Sequence, residues 1–235
     1  MGGDGNEPRL RPVADGMPAS KPPASATEPT APEVTGASRV RRSRLKDAMS
    51  LAAFVLVAVA ARSSLADHYY VPTGSMIPTV EIGDRVVVSK LSYGLRLPFA
   101  DAPVVNFGDP QAGDVVVLRS PEDGKTLLKR MVAGPGDVVA VQEGRIWIND
   151  RPIPIRARQG ELVELLGRAH PVRLTRGGGM DFGPVRVGRD EFLVMGDNRG
   201  ESHDGRAFGL VRREAIFGRA LSVWMRQGRP CWHPL

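Results

Sequence analysis

The residues of this chain best suited to covalent chemistry are a serine in a tight turn and a lysine in a strand-like segment. Ser75 lies within Pro72–Pro78, where a glycine frees the backbone and a proline at each end restricts it. A serine at such a rigid corner can be exposed, and it can act as a nucleophile once a base removes its proton. A Gly-Ser pair in a turn is usually structural, so the assignment depends on finding that base.

Histidine, the usual base beside a serine, is poorly placed in this sequence. Among the histidines, His203 is followed directly by an acidic residue, Asp204. Adjacent side chains of an extended segment point to opposite faces, so Asp204 could not readily orient the ring of His203. A triad of Ser75, His203 and Asp204 is conceivable but awkward, and His203 fits a solvated loop better.

Lys129 is the alternative base. Strand alternation places it between Leu127 and Met131 on one face, with Arg130 on the other. A lysine on an apolar face loses hydration, which lowers its pKa from ~10.4 toward neutrality. Only the uncharged amine can accept the proton of Ser75. From alternation alone, a lysine that reaches solvent at a strand edge is the commoner situation.

Short β-branched segments surround these side chains from residue 71 onward. They are Val86–Val88, Val115–Leu118, Leu127–Val132, Val138–Val141, Arg145–Ile148 and Glu191–Met195. Because turn residues separate them, the pattern predicts a β-rich domain at residues 67–235, with a small β insertion near 140–190. Only Asp47–Ala61 and Arg212–Phe217 have a helical pattern.

The first part of the chain divides into a polar tail and a basic segment followed by an apolar one. Residues 1–38 hold seven prolines and few large apolar side chains, which predicts a disordered tail. Residues 39–66 begin with a basic cluster and continue as the apolar stretch Ala48–Ala61, interrupted by Arg62 and weakly resumed to Ala66. The basic cluster consists of Arg39, Arg41, Arg42, Arg44 and Lys46.

The apolar stretch has three interpretations. It is shorter than the ~20 residues that span a bilayer comfortably, yet it can be a retained transmembrane helix if Arg62 reaches the interface. Followed by Ser64-Leu65-Ala66, it also has the pattern of a cleavable secretory signal. A buried core helix fits poorly with the basic cluster. In the first two cases the basic side stays cytoplasmic, and everything after Asp67 is exported.

The net charge bears on which binding partners are expected, and the cysteine content on which disulfides and metal sites are possible. The formal net charge of +6 would suit nucleic acid, anionic lipid or acidic proteins alike. Because much of the excess precedes the apolar stretch, a lipid bilayer is the expected partner. The single cysteine, Cys231, allows no internal disulfide and no cysteine-based zinc site, and no histidine motif accompanies it.

Four segments, in order along the chain, resemble the bacterial type I signal peptidases, which are membrane-anchored Ser-Lys endopeptidases. They are Val71–Thr79, Gly83–Lys90 with Tyr93-Gly94, Lys129–Asp137 and Gly196–Gly209. The resemblance runs from about Ala48 to Ala220, and such an ordered set is specific. It implies a mostly β, antiparallel catalytic domain with a coiled, barrel-like core, preceded by one N-terminal membrane helix.

The resemblance also implies a role for each matching residue. Ser75 is the nucleophile and Lys129 the general base, and the N–H of Ser75 and the hydroxyl of Thr73 form the oxyanion hole. The supporting residues are Ser202, which orients the lysine, the ion pair of Asp204 and Arg206, and Asp197 and Asn198 in the same loop. Gly205 stands where many members have serine, but this change removes no catalytic atom.

The function implied is removal of signal peptides from exported preproteins by a single-pass protein of the cytoplasmic membrane with a cytoplasmic N-terminus. The expected partners are preproteins with small residues before the cut and the lipid bilayer, with no nucleic acid. A monomer is expected, and no metal or organic cofactor is required.

A self-cleaving repressor-type peptidase would need a DNA-reading domain that residues 1–38 cannot form. The non-enzymatic alternative is an anchored β-domain that binds lipid or protein.

Overall fold

The computed structural model describes residues 46–54, 66–94 and 105–235. Residues 46–54 form a helix, α1, whose side chains are exposed. Within these three ranges, every helix is too short or too polar to cross a bilayer. The predicted tail at residues 1–38 and most of the predicted membrane helix fall outside the described residues, and both remain predictions.

From residue 66 onward the β-branched segments form strands. In chain order these are β1 (Ala66–Tyr70), β2 (Arg85–Ser89), β3 (Val115–Arg119), β4 (Thr126–Ala133), β5 (Val138–Gln142), β6 (Arg145–Ile148), β7 (Arg151–Pro152), β8 (Ile155–Arg158), β9 (Glu161–Leu166), β10 (Arg168–Val172), β11 (Phe182–Arg186), β12 (Glu191–Met195), β13 (Val211–Arg212), β14 (Ile216–Arg226) and β15 (Arg229–Pro234). A short helix, α2, spans Gly205–Phe208, and 3₁₀ turns span Leu91–Tyr93, Thr175–Gly178, Arg199–Glu201 and Arg213–Ala215. All the predicted strand segments lie in strands, which pair antiparallel, so the mostly β fold class is confirmed.

The main sheet has eight strands in the order β1-β2-β14-β3-β4-β12-β13, with β15 also paired to β14. Strand β14 is central, because β2 lies along one of its edges and β3 and then β15 lie along the other. The register shifts in all three of these pairings. Such bulges bend a strand and increase its twist, so the sheet is coiled rather than flat.

Alternate side chains of the main sheet pack into separate apolar clusters. In β3, Val115 and Val117 belong to one cluster, whereas Val116 and Leu118 belong to another. The division follows from strand geometry, since successive side chains point to opposite faces. A further cluster, which includes Ile146, joins β5 and β6 to β4 and β12. Strand β4 is therefore packed on both faces, which is what an interior strand requires.

Two smaller sheets are formed by the strands that lie between β4 and β12 in the chain. One has the order β11-β5-β6-β7, and the other has the order β10-β9-β8. They fall in the region for which the sequence predicts an insertion near 140–190. The boundaries of that insertion as a separate domain remain a prediction.

The predicted helix at Arg212–Phe217 is wrong. This segment contains the last residue of β13, one 3₁₀ turn at Arg213–Ala215 and the first residues of β14. Ile216 is fully buried in the cluster of Val116 and pairs with Leu118 in β3. Packing against the sheet has overridden the weak helical pattern, as tertiary contacts often do for short segments.

Candidate active site

Ser75 lies in a turn between β1 and β2. The base of the turn is closed by Val71, whose main chain makes two hydrogen bonds of 3.0 and 2.8 Å to Gly83-Asp84. Met76, the residue after the serine, is 1% exposed and packs in the core cluster of Val71. Ser75 is half-buried, and Thr73 is exposed. The turn is thus anchored on one side and open to solvent on the other.

The loop that follows β12 is hydrogen-bonded to this turn through Asn198. The N–H of Asn198 donates to the carbonyl of Ser75 at 3.1 Å, and its side-chain amide donates to the carbonyl of Gly74 at 3.1 Å. Gly196 packs so closely that a Cβ there would overlap both the carbonyl oxygen of Ser75 and the hydroxyl of Ser202. Ser75 and Ser202 are therefore neighbours across a single glycine.

The close approach at Gly196 makes any side chain costly there. In Gly196→Ala the new methyl group would press on the main-chain oxygen of Ser75, which cannot move away as a flexible side chain would. We expect the free energy of unfolding to fall by about 1–3 kcal/mol, the usual cost of overpacking. Urea unfolding followed by circular dichroism measures this change, with the exposed Ala207→Ser as a control. An unchanged unfolding midpoint for Gly196→Ala would contradict the packing described.

Lys129 is buried in the interior of the main sheet. It lies in β4 between β3 and β12, and its side chain is 3% exposed. Leu127 and Met131 pack together in one cluster and Leu128 in another, as the alternation predicts. The amine of Lys129 donates to the hydroxyl of Ser202 at 3.1 Å. The alternative of a lysine that reaches solvent at a strand edge is therefore wrong.

Burial also changes the protonation of this amine. Loss of hydration lowers the pKa of Lys129 to about 8, although the negative charge of Asp204 acts in the opposite direction. Near pH 8 about half of the molecules therefore carry an uncharged amine, which can accept a proton.

An ion pair lies behind Ser202. The carboxylate of Asp204 accepts hydrogen bonds from the side chain of Ser202 and from the N–H of Gly196 at 2.9 Å. Arg206 donates to both of its oxygens at 2.9 Å. Burial favours the neutral acid, but the hydrogen bonds and charge of Arg206 outweigh it and lower the pKa of Asp204. The charged carboxylate therefore fixes the position of the hydroxyl that contacts Lys129.

Asp197 forms a second buried ion pair, with Arg130. The guanidinium donates to the two carboxylate oxygens at 2.8 and 2.7 Å, and the hydroxyl of Thr79 donates to the same carboxylate. Arg130 thus links β4 to the loop after β12, and Thr79 links that loop to the turn of Ser75. The sequence places Arg130 on the face of β4 opposite Lys129 but does not predict its pairing with Asp197. A charged residue within an otherwise apolar strand was the only feature of the sequence that indicated a buried partner.

His203 takes no part in a triad. Its ring is exposed and lies 2.8 Å from the carboxylate of Glu122 through Nε2, with an edge contact to Phe208 at 5.8 Å. Asp204 directs its carboxylate to Arg206 instead. The alternative triad of sequence reasoning is therefore contradicted, and His203 is the solvated loop residue expected.

The described residues thus bring the main chain of Ser75 and the hydroxyl of Ser202, which accepts a hydrogen bond from the buried amine of Lys129, to Gly196. A lysine that is partly uncharged at neutral pH can act as a general base, and a half-buried serine can act as a nucleophile once a base reaches its hydroxyl. Within the ranges that the structure describes, no group of histidine, cysteine, aspartate and glutamate side chains is arranged to hold a metal ion. The arrangement suits acyl transfer from a bound carbonyl.

Comparisons with known proteins agree on one family. The family described as "Signal peptidase, peptidase S26" matches residues 44–225. Signal peptidase I of Pseudomonas fluorescens is 36% identical over 200 residues, which is 75% of this chain and 70% of that protein. Signal peptidase I T of Bacillus subtilis is 32% identical over 174 residues, which is 72% of this chain and 79% of that protein.

A plant protein and a solved structure are also similar. Thylakoidal processing peptidase 1 of Arabidopsis thaliana is 31% identical over 180 residues, covering 75% of this chain and 47% of that protein. The crystal structure of a signal peptidase I from Enterococcus faecalis aligns with 48% of this chain and 97% of its own, at a TM-score of 0.36 and 22% identity.

Proposed function

Because the chain belongs to the signal peptidase family, peptidase S26, we propose that it is a membrane-anchored endopeptidase in which Ser75 attacks and Lys129 is the base. The family supports cleavage of signal peptides from preproteins as the activity. The observation that carries the proposed dyad is the buried amine of Lys129, which has a pKa of about 8 and contacts Ser202 beside Ser75.

In the proposed mechanism, Nζ of Lys129 takes the proton of Ser75 while Oγ forms a bond to the scissile carbonyl carbon. The N–H of Ser75 and the hydroxyl of Thr73 hold the resulting oxyanion. Lys129 then returns the proton to the leaving amine as the C–N bond breaks, which leaves an acyl-enzyme. Water hydrolyses this ester with Lys129 again as the base. Metal ions and organic cofactors have no part in these steps.

The supporting residues act by holding the dyad in place. Ser202 accepts a hydrogen bond from Lys129 and is held by Asp204, which is held in turn by Arg206. Asn198 fixes the main chain on either side of the nucleophile, and Asp197 connects its loop to β4. A geometry fixed in this way reduces the reorganisation required when the proton moves.

We place the catalytic domain on the exported face of the cytoplasmic membrane, held by a single N-terminal helix within residues 39–66. Exposed apolar side chains near the turn support an approach to lipid. Tyr70 is 60% exposed and Ile82 is 58% exposed, and Ile82 lies beside Gly74. A preprotein emerging from the same bilayer would then meet Ser75 at a high effective concentration.

The proposed substrates are exported preproteins that bind in extended form, with small side chains at alternate positions before the cut. Main-chain pairing with an extended substrate gives affinity, whereas pockets for alternate side chains give specificity. We propose a monomer with preproteins and lipid, and no nucleic acid, as its partners.

The pH dependence of acylation tests the proposed chemistry directly. Only the uncharged amine is a base, so we expect labelling of Ser75 by a serine-directed acylating probe to fall as pH drops below about 8. The rate should change about tenfold per pH unit there and level off above the pKa. Labelling rates measured between pH 6 and 10, with Ser75→Ala as the unlabelled control, give this profile. A rate that keeps rising to about pH 10, as for an ordinary lysine, would contradict it, and no labelling at any pH would favour a binding module.

A further inference from the structure

A third buried ion pair, formed by Glu164 and Arg199, adjoins the loop after β12, and the proposed mechanism does not use it. Glu164 in β9 is fully buried, and Arg199 is 1% exposed. The guanidinium binds both carboxylate oxygens, with Nη1 to Oε1 at 3.0 Å. Burial favours the neutral acid, but contacts with His170 and Arg199 outweigh it and lower the pKa of Glu164. The pair is therefore charged and connects a smaller sheet to the loop after β12.

Besides binding Glu164, Arg199 donates hydrogen bonds to two main-chain carbonyls. Its Nε donates to the carbonyl of Gly196 at 3.0 Å, and its Nη1 donates to the carbonyl of Gly144 at 2.6 Å. The carbonyl of Arg199 itself accepts from Arg206 at 2.6 Å. The two arginines behind the site are thus bonded to each other as well as to their carboxylates.

Gly196 is consequently held through both of its main-chain polar groups. Its N–H donates to Asp204 at 2.9 Å, and its carbonyl accepts from Arg199 at 3.0 Å. Glycine has the greatest backbone freedom of any residue, so this position needs outside support to stay fixed. Because Gly196 separates Ser75 from Ser202, its position controls the spacing between the nucleophile and the residue that contacts the base.

We propose that Glu164 is a positioning residue for the reaction: it aims Arg199 at the carbonyl of Gly196 and so sets the spacing of Ser75 and Lys129. The inference rests on the proposed function, since it assumes that these two residues react. Stability alone does not account for the pair, because well-packed apolar residues often replace a buried ion pair without loss of stability. A displacement of about 1 Å in such a site can cost about 10²-fold in rate.

The test compares a single and a double variant in preprotein processing. Glu164→Gln removes the carboxylate and leaves the guanidinium of Arg199 buried and unpaired. The double variant Glu164→Leu with Arg199→Met removes both charges and restores an apolar interior. We expect kcat to fall by about 10²-fold in both, with KM nearly unchanged. We also expect the thermal midpoint to fall in the single variant and to recover in part in the double variant, in which the carbonyls of Gly144 and Gly196 lose the donors of Arg199.

Val141→Ala is the matched control for general destabilisation. Val141 is fully buried in the cluster of Ile146, and its loss removes packing without removing a bond to Gly196. Assayed well below its midpoint, this variant should keep kcat within about twofold of the parent protein. Recovery of kcat together with stability in the double variant would overturn the proposal, as would a kcat for Glu164→Gln within about twofold of the parent.

Ser75→Ala on the same preprotein separates this inference from the proposed function. If Ser75→Ala stops processing and Glu164→Gln does not, only the positioning role is wrong. If Ser75→Ala still processes the preprotein at a near-normal rate, the dyad itself is wrong.

Discussion

We expect Ser75→Ala to lower kcat/KM for preprotein processing by about 10⁴-fold or more, because the proposed nucleophile is removed. The hydrogen bond that the turn makes at this residue uses the carbonyl of Ser75, so alanine keeps it. Folding should therefore be unaffected, and the loss can be assigned to chemistry. Conversion of a preprotein to its mature length, followed by gel electrophoresis at several enzyme concentrations, measures the effect.

A matched serine elsewhere provides the control for Ser75. Ser222 in β14 is fully buried, and its hydroxyl donates to the carbonyl of the next residue at 3.0 Å. Ser222→Ala should therefore leave processing within about twofold of the parent protein. If Ser75→Ala retained the rate of Ser222→Ala, Ser75 could not be the nucleophile.

For Lys129→Met, which removes the proposed base, we expect kcat to fall by about 10³- to 10⁴-fold. Methionine has a similar length and fills the same apolar space, but it cannot accept a proton. Because a buried amine is costly to place in the core, we expect the thermal midpoint to stay level or rise. Lys129→Arg should be equally inactive, since guanidinium stays charged at all working pH values.

Lys125→Met, four residues earlier on the same hairpin, is the control. The side chain of Lys125 is 78% exposed and pairs with Asp123 at the tip. Its loss should leave kcat unchanged, since exposed ion pairs contribute little. A Lys129→Met protein that processes preprotein at the rate of Lys125→Met would show that another group removes the proton of Ser75.

The sequence predicts the main strands because their signal is local. Period-two alternation identifies a half-buried segment wherever it occurs, and the pattern of Leu127–Met131 by itself places Lys129 on an apolar face. What alternation cannot decide is whether that face lies at an edge or in the interior. The position of β4 between β3 and β12, which comes from pairing over long sequence distances, decides it.

The parts that sequence reasoning missed depend on such distant pairings. Glu164 occurs in the segment Glu161–Leu166, whose polar residues are three apart, so period-two alternation does not indicate which face of a strand Glu164 would take. Its burial becomes understandable only through its contacts with His170 and with Arg199, which is 35 residues away. Strand β14 was missed for a related reason, because glycine and polar residues interrupt its apolar pattern while its neighbours cover both edges.

The contact between Gly144 and Gly178 restricts how this enzyme can be reduced in size. The two glycines lie too close for any Cβ on Gly178, and their carbonyls accept hydrogen bonds from Arg199 and Arg206, respectively. Excising the small sheets to obtain a minimal protease would leave two buried cations short of acceptors. Engineers who want a compact version should instead trim the exposed tip of the hairpin of β8 and β9 at Gln159-Gly160, which lies outside this contact.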